Sequence, residues 1–170
     1  MMTLSLEDKK TIQLDRMRYT KNTFSSSMVY LAILFNVFYF VSIYESDVGS
    51  WYYTWLIGIS IVYNLVFMLI SFLCSEGVKN YKLGYGYLLL GLGVGQIVRM
   101  FILPAMAHAA VTKRVIEKKA VEVPVMETSQ YVLTIVLLAL SAACCFAAGL
   151  VAVKRSRTLA AYNASLVEKA

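Results

Sequence analysis

GYGYLLLGLGVGQIVRMFILP, residues 84–104, carries five of the chain's nine glycines and one charge, Arg99, within an otherwise apolar run. Apolar runs of 18 or more residues that are almost free of charge are typical of transmembrane helices, because about 20 helical residues cross the hydrocarbon core of a bilayer. Glycine weakens a helix by roughly 0.5–1 kcal/mol relative to alanine. The stretch therefore predicts a membrane span in which glycines serve close packing and a charge has to be accommodated.

Three further apolar runs have the same character. The chain is 59% hydrophobic and 15% charged, whereas soluble domains average about 45–50% apolar and about 25% charged residues. We predict an all-α, polytopic integral membrane protein with four transmembrane helices in an antiparallel bundle, a single membrane domain over residues 1–170. The predicted spans are residues 26–44, 51–74, 83–107 and 130–153, with tails 1–25 and 154–170 and an outer loop 108–129.

The basic residues predict the orientation in the membrane. If there are four spans, one side holds eleven basic residues and the other holds four, and the remaining one of the sixteen is Arg99. Positive charge accumulates on the cytoplasmic side of membrane proteins, so we predict that both termini are cytoplasmic. The eleven are Lys9, Lys10, Arg16, Arg18, Lys21, Lys79, Lys82, Lys154, Arg155, Arg157 and Lys169, and the four are Lys113, Arg114, Lys118 and Lys119.

The net charge of +6 is explained by this orientation and by the attraction of basic residues to anionic lipid headgroups. Nucleic-acid binding is not expected, because the basic residues are not interleaved with stacking aromatics on one soluble module. The lipid bilayer is thus the first predicted partner.

The glycines of the third span form two flanks on a helical wheel. At about 100° per residue, Gly84, Gly91 and Gly95 fall within about 40° of one another, and Gly86 and Gly93 fall nearly opposite. In lipid, small residues allow helix backbones to approach closely. We favour packing of these flanks against spans two and four of the same chain. The alternative is that one flank binds a membrane protein partner or a second copy of this chain.

Arg99 lies about eight residues from the outer end of its span, which corresponds to a depth of roughly 12 Å. A charge at this depth is costly unless it is paired. The short outer turn carries Glu45 and Asp47, and a carboxylate can accept two parallel hydrogen bonds from a guanidinium. We therefore predict that one of these two acids holds Arg99. The alternative is that Arg99 faces a ligand or an ion.

Other intramembrane polar residues are expected to face the bundle interior and to hydrogen-bond one another, since an unpaired amide in hydrocarbon is unfavourable. These residues are Asn36, Ser60, Asn64 and Gln96. Ser141 and Cys145 lie on a small-residue face of the fourth span and are predicted to serve helix packing.

The chain shows no pattern typical of a catalytic site, and its single histidine, His108, is flanked by alanines. It lacks the H-E-x-x-H, G-x-S-x-G and phosphate-loop motifs, and its three cysteines form no C-x-x-C pair. We expect no enzyme activity, no metal and no cofactor. The expected function is that of a non-catalytic accessory or assembly subunit that packs against a larger membrane complex. The alternative is a small oligomeric channel or transporter with Arg99 and the membrane amides lining its path.

The segment after Pro104 has helix-forming composition up to Pro124. The sequence leaves open whether residues 108–123 extend the third span as a helix or lie along the outer surface.

Overall fold

The computed structural model of the chain describes residues 5–44, 51–109, 111–116, 119–124 and 126–168. Four of its helices are long and apolar enough to cross a membrane, which confirms the predicted all-α bundle of four transmembrane helices. In chain order the elements are α1 (Leu6–Tyr19), α2 (Thr23–Tyr44), α3 (Trp51–Lys79), α4 (Leu83–Ala109), β1 (Val111–Ile116), β2 (Lys119–Pro124) and α5 (Thr128–Glu168).

The four long helices close a ring in which α2 packs on α3 and α5, and α4 packs on α3 and α5. The contact between α4 and α5 is the most extensive of the four, and the contact between α3 and α4 is the smallest. The interior contains apolar clusters along the bundle axis, while many large apolar side chains on the outside are more than half exposed, as in Ile59, Leu69 and Phe101. An apolar exterior of this kind suits a lipid surround.

One end of the bundle holds both termini and is called the terminal end below. The backbone N–H of Asn22 donates to the Lys79 carbonyl at 3.0 Å, and Arg155 Nη1 donates to Asn22 Oδ1 at 2.8 Å. These bonds join the start of α2 to the end of α3 and to α5. The predicted tail from residue 154 is helical, because α5 runs for 41 residues to Glu168.

Helix α1 begins with a capping box. The Ser5 hydroxyl accepts from the Asp8 backbone N–H at 3.1 Å, and the Asp8 carboxylate accepts from the Ser5 backbone N–H at 3.3 Å. This arrangement satisfies two donors at a helix start. Helix α1 lies beside the extension of α5, where Tyr162 Oη donates to Asp15 Oδ1 at 3.4 Å.

The opposite end is called the hairpin end, and it contains the segment after Pro104 whose structure the sequence left open. Helix α4 ends at Ala109, and β1 and β2 pair as an antiparallel hairpin, with Val111 opposite Pro124 and Ile116 opposite Lys119. Strand β1 has four β-branched residues among its six, and β2 alternates its valines with other residues. Both features favour extended backbone. Despite its helix-forming composition, the segment is therefore extended over Val111–Ile116 and Lys119–Pro124.

Candidate functional site

Arg99 on α4 lies inside the bundle with 5% of its surface exposed. Its Nη1 donates to Asn64 Oδ1 at 2.8 Å and to Asn36 Oδ1 at 3.3 Å, and its Nη2 donates to Ser60 Oγ at 2.7 Å. Three bonds to groups on two other helices fix both ends of the planar guanidinium. The charge is therefore surrounded by neutral oxygen atoms of α2 and α3.

Two amide–amide bonds complete this group. Asn36 Nδ2 donates to Asn64 Oδ1 at 3.0 Å, and Gln96 Nε2 donates to Asn36 Oδ1 at 3.1 Å. Gln96 and Arg99 are three residues apart, so they share a face of α4, as Ser60 and Asn64 share a face of α3. We call Asn36, Ser60, Asn64, Gln96 and Arg99 the Arg99 cluster. The structure brings together all five intramembrane polar residues singled out from the sequence.

Two tyrosines that sequence reasoning missed enclose the guanidinium. The Arg99 Cζ atom lies 4.2 Å from the ring centroid of Tyr39 and 4.7 Å from that of Tyr63. Contacts at this range are within reach of cation–π attraction. Helical spacing offered a signal, because Tyr39 follows Asn36 by three residues and Tyr63 follows Ser60 by three, which places each ring on the face of its polar neighbour.

The predicted acidic partners of Arg99, Glu45 and Asp47, lie outside the described residues, so that pairing stays a prediction. Among the described residues the ion pairs are Arg18 with Asp15 and Lys79 with Glu76, both at the terminal end. Arg99 forms no ion pair within that part of the chain.

Three buried atoms of the Arg99 cluster have no hydrogen-bond partner. They are two donors, Arg99 Nε and Asn64 Nδ2, and one acceptor, Gln96 Oε1. Leaving a buried donor or acceptor unpaired costs about 1–3 kcal/mol. The cluster therefore solvates most of the guanidinium but retains unsatisfied hydrogen-bonding capacity.

One glycine flank of α4 packs against α5. A Cβ placed on Gly86 would lie 2.8 Å from Val153 Cγ2, and one placed on Gly93 would lie 3.1 Å from the Phe146 ring. On the facing helix, a Cβ on Gly149 would lie 2.8 Å from Leu90 Cδ2 and 3.0 Å from the Gly86 carbonyl oxygen. The absence of side chains at these positions permits the close α4–α5 contact.

The other flank of α4 is only partly covered by the chain itself. A Cβ on Gly95 would meet Tyr63 Oη at 2.9 Å, so this position does pack against α3. A Cβ on Gly84 or on Gly91 would meet no other atom of the described residues within 4 Å. Both glycines are exposed on α4. With Leu88, which lies between them and is 44% exposed, they form what we call the glycine surface.

The small-residue face of α5 also points inward. The Ser141 hydroxyl donates to the Ala32 carbonyl on α2 at 3.0 Å. Cys145 is fully buried in a cluster with Ala32 and Phe67. Ser141 therefore contacts α2, and Cys145 packs among residues of α2 and α3. The three cysteines are free thiols within the bundle.

Within the described part of the chain, no group of three or more histidine, cysteine or acidic side chains could hold a metal ion. A shallow apolar groove lies between α2 and α5, and its lining offers a single hydroxyl group. The lining residues are Phe38, Val41, Ser42, Leu133 and Leu137.

Searches for a matching family model, a similar curated protein and a similar solved structure each found no match.

Proposed function

We propose that this protein is a non-catalytic integral membrane subunit that packs against another membrane protein through the glycine surface of α4. The observation that carries the proposal is the open space at Gly84 and Gly91. Gly86, Gly93, Gly95 and Gly149 each meet a neighbouring helix within the chain. Gly84 and Gly91 weaken α4 without such a contact, so a helix from another protein accounts for their presence.

The spacing suits a helix as the binding partner. Gly84 and Gly91 are seven residues apart, which is about two turns, so they lie on one face of α4. A second transmembrane helix can approach such a face closely and gain van der Waals contact that bulky side chains would prevent. A second copy of this chain is the competing occupant of the same surface.

The proposed orientation places both termini in the cytoplasm. It rests on the eleven basic residues of the terminal side, including the tails, against four in and around the hairpin. The glycine surface then begins near the cytoplasmic boundary and ends near the middle of α4, which locates the proposed contact in the inner half of the membrane.

The enclosure of Arg99 favours a structural role for this residue over a place on a transport path. Its side chain is 5% exposed, and both guanidinium ends bond to α2 or α3. The channel alternative makes a distinct prediction: ion or solute flux in liposomes that changes in Arg99→Ala, while that variant folds normally.

The test is recovery of a partner with the tagged full-length chain in mild detergent, followed by mass spectrometry. We expect Gly91→Leu to lose the partner and to keep the melting temperature of the purified chain, because a Cβ on Gly91 meets no described residue within 4 Å. The matched control is Gly58→Leu, since a Cβ on Gly58 on α3 also meets no atom within 4 Å.

Full recovery of the partner with Gly91→Leu would contradict the proposal. Recovery of further copies of this chain alone, lost in Gly91→Leu, would assign the glycine surface to a homo-oligomer instead.

A further inference from the structure

The Arg99 cluster holds a positive charge without a neutralising group among the described residues. Its members other than Arg99 are amides and a hydroxyl, and the adjoining rings belong to Tyr39 and Tyr63. A guanidinium stays protonated in proteins. A buried charge is unfavourable unless it is compensated. Binding of one negative charge beside Arg99 would therefore stabilise the cluster.

The unsatisfied donors lie beside that charge. Arg99 Nε and Asn64 Nδ2 have no hydrogen-bond partner, although Arg99 is 5% exposed and Asn64 is fully buried. The two side chains are joined by the 2.8 Å bond from Arg99 Nη1 to Asn64 Oδ1. The same pair of side chains therefore supplies the charge and two N–H groups that lack acceptors.

From this arrangement we infer that the Arg99 cluster binds one small monovalent anion, such as chloride, inside the bundle. A single negative charge neutralises the guanidinium, and the lone pairs of the anion accept from Arg99 Nε and Asn64 Nδ2. A neutral water molecule would satisfy the donors but leave the charge. Gln96 Oε1, an acceptor, accepts from a water that accompanies the anion. This inference does not depend on the proposed partner contact.

The same negative charge has a second possible source within the chain, the carboxylate of Glu45 or Asp47. The inference commits to the free anion, because the neutral groups of α2, α3 and α4 already form the site around Arg99. The experiment below separates the two sources.

The experiment measures the melting temperature of the purified full-length chain in detergent while sodium chloride replaces sodium gluconate at constant ionic strength. We expect a saturable rise, reaching roughly 5 °C or more at a chloride concentration about one hundred times Kd. Bromide should act similarly, since it carries the same charge. A wild-type melting temperature that does not respond to either halide overturns the inference.

A carboxylate built into the cluster should replace the anion. Asn64→Asp puts a negative charge at the oxygen that Arg99 Nη1 already contacts at 2.8 Å. We expect this variant to melt in gluconate as high as the wild type in chloride, and to lose the chloride response. The matched control is Asn22→Asp, because Asn22 Oδ1 accepts from Arg155 Nη1 at the same 2.8 Å. That variant should keep the full chloride response.

Three results overturn the free-anion site. A lower melting temperature of Asn64→Asp in gluconate would show that the charge of Arg99 is already compensated. A chloride response that appears only in the double variant Glu45→Gln and Asp47→Asn would assign the compensation to the chain's own carboxylates. An equal chloride response in Asn64→Asp and in the wild type would place the anion elsewhere on the protein.

Discussion

At the scale of single residues, Arg99 shows how a membrane bundle accommodates a charge with neutral groups. It donates hydrogen bonds to Asn36, Ser60 and Asn64, and two tyrosine rings lie within 4.7 Å of the guanidinium carbon. Without the other members, each of these polar side chains would be an unpaired group in the interior of the bundle. The cluster thus satisfies several intramembrane groups at once and ties α4 to α2 and α3.

Removing the guanidinium should destabilise the bundle. Arg99→Ala leaves the oxygens of Asn64 and Ser60 without their charged donor, and the expected loss in the free energy of unfolding is on the order of 3 kcal/mol. Arg99→Lys should recover only part of it, because an ammonium lacks the planar fork that reaches acceptors on two helices. The measurement is folded yield and melting temperature in detergent.

The matched control for this prediction is Arg157→Ala. Arg157 also contacts a tyrosine, since its Nη2 donates to Tyr87 Oη, but this pair is exposed. Exposed pairs contribute about 0–1 kcal/mol. Equal stabilities of Arg99→Ala and Arg157→Ala would contradict the structural role of the Arg99 cluster.

Sequence reasoning identified every polar member of this cluster but not how the members pair. The cost of an amide in hydrocarbon was sufficient to predict that Asn36, Asn64 and Gln96 face inward. It did not indicate that they surround Arg99, because the relative rotation and depth of three helices decide which groups meet. A preference for charge pairs directed the prediction to Glu45 and Asp47 instead, and those two acids lie outside the described residues.

At the scale of elements, the glycines of α4 serve two different surfaces. Gly86 and Gly93 face α5, while Gly84 and Gly91 face away from the rest of the bundle. The wheel predicted the two flanks from the sequence alone. It did not predict which flank the chain itself would cover, because that depends on the side on which α5 packs.

A single methyl group distinguishes the two surfaces. Gly149→Ala should lower the free energy of unfolding by about 1–3 kcal/mol, as overpacking does, because the new Cβ would lie 3.0 Å from the backbone oxygen of Gly86. Gly91→Ala should be neutral or stabilise the purified chain by up to about 1 kcal/mol through helix propensity. Thermal melting of both variants in the same detergent gives the comparison, and equal shifts would show that the two positions are not packed differently.

The hairpin illustrates a second limit of sequence reasoning at this scale. Residues 108–123 contain alanine, lysine and glutamate, which favour helix, yet β1 and β2 pair over six residues each. The β-branched residues of the two strands were the better signal. His108 and Tyr131 stack at 4.7 Å beside the hairpin, and His108 Nδ1 lies 3.2 Å from the Met126 carbonyl. These contacts hold the end of α4 to the start of α5.

At the scale of the whole molecule, hydropathy was sufficient to predict the architecture. Each predicted span falls within one long helix, because burial of a continuous apolar run in lipid needs no detailed side-chain match. The short links between the first and second spans and between the second and third spans then force these neighbouring helices to run antiparallel. The unequal distribution of basic residues between the two ends supports the proposed orientation in the membrane. The fold itself does not depend on that orientation.

The orientation predicts which end of the bundle meets the cytoplasm. A cysteine introduced at Ser165 should react with a membrane-impermeant maleimide only after permeabilisation, whereas one introduced at Val111, which is 60% exposed at the hairpin end, should react in intact cells. The native thiols of Cys74, Cys144 and Cys145 are buried, so they contribute little background. The reverse labelling pattern would contradict cytoplasmic termini.

The central claim is that another membrane protein covers the glycine surface, and site-specific photo-crosslinking in native membranes tests it most directly. A photoreactive residue at Leu88 lies between Gly84 and Gly91, and one at Leu69, 62% exposed on α3, serves as the control. We predict one protein adduct of defined mass, different from a dimer of this chain, from Leu88 and none from Leu69. Lipid adducts alone from Leu88, or the same protein adduct from both positions, would contradict the account.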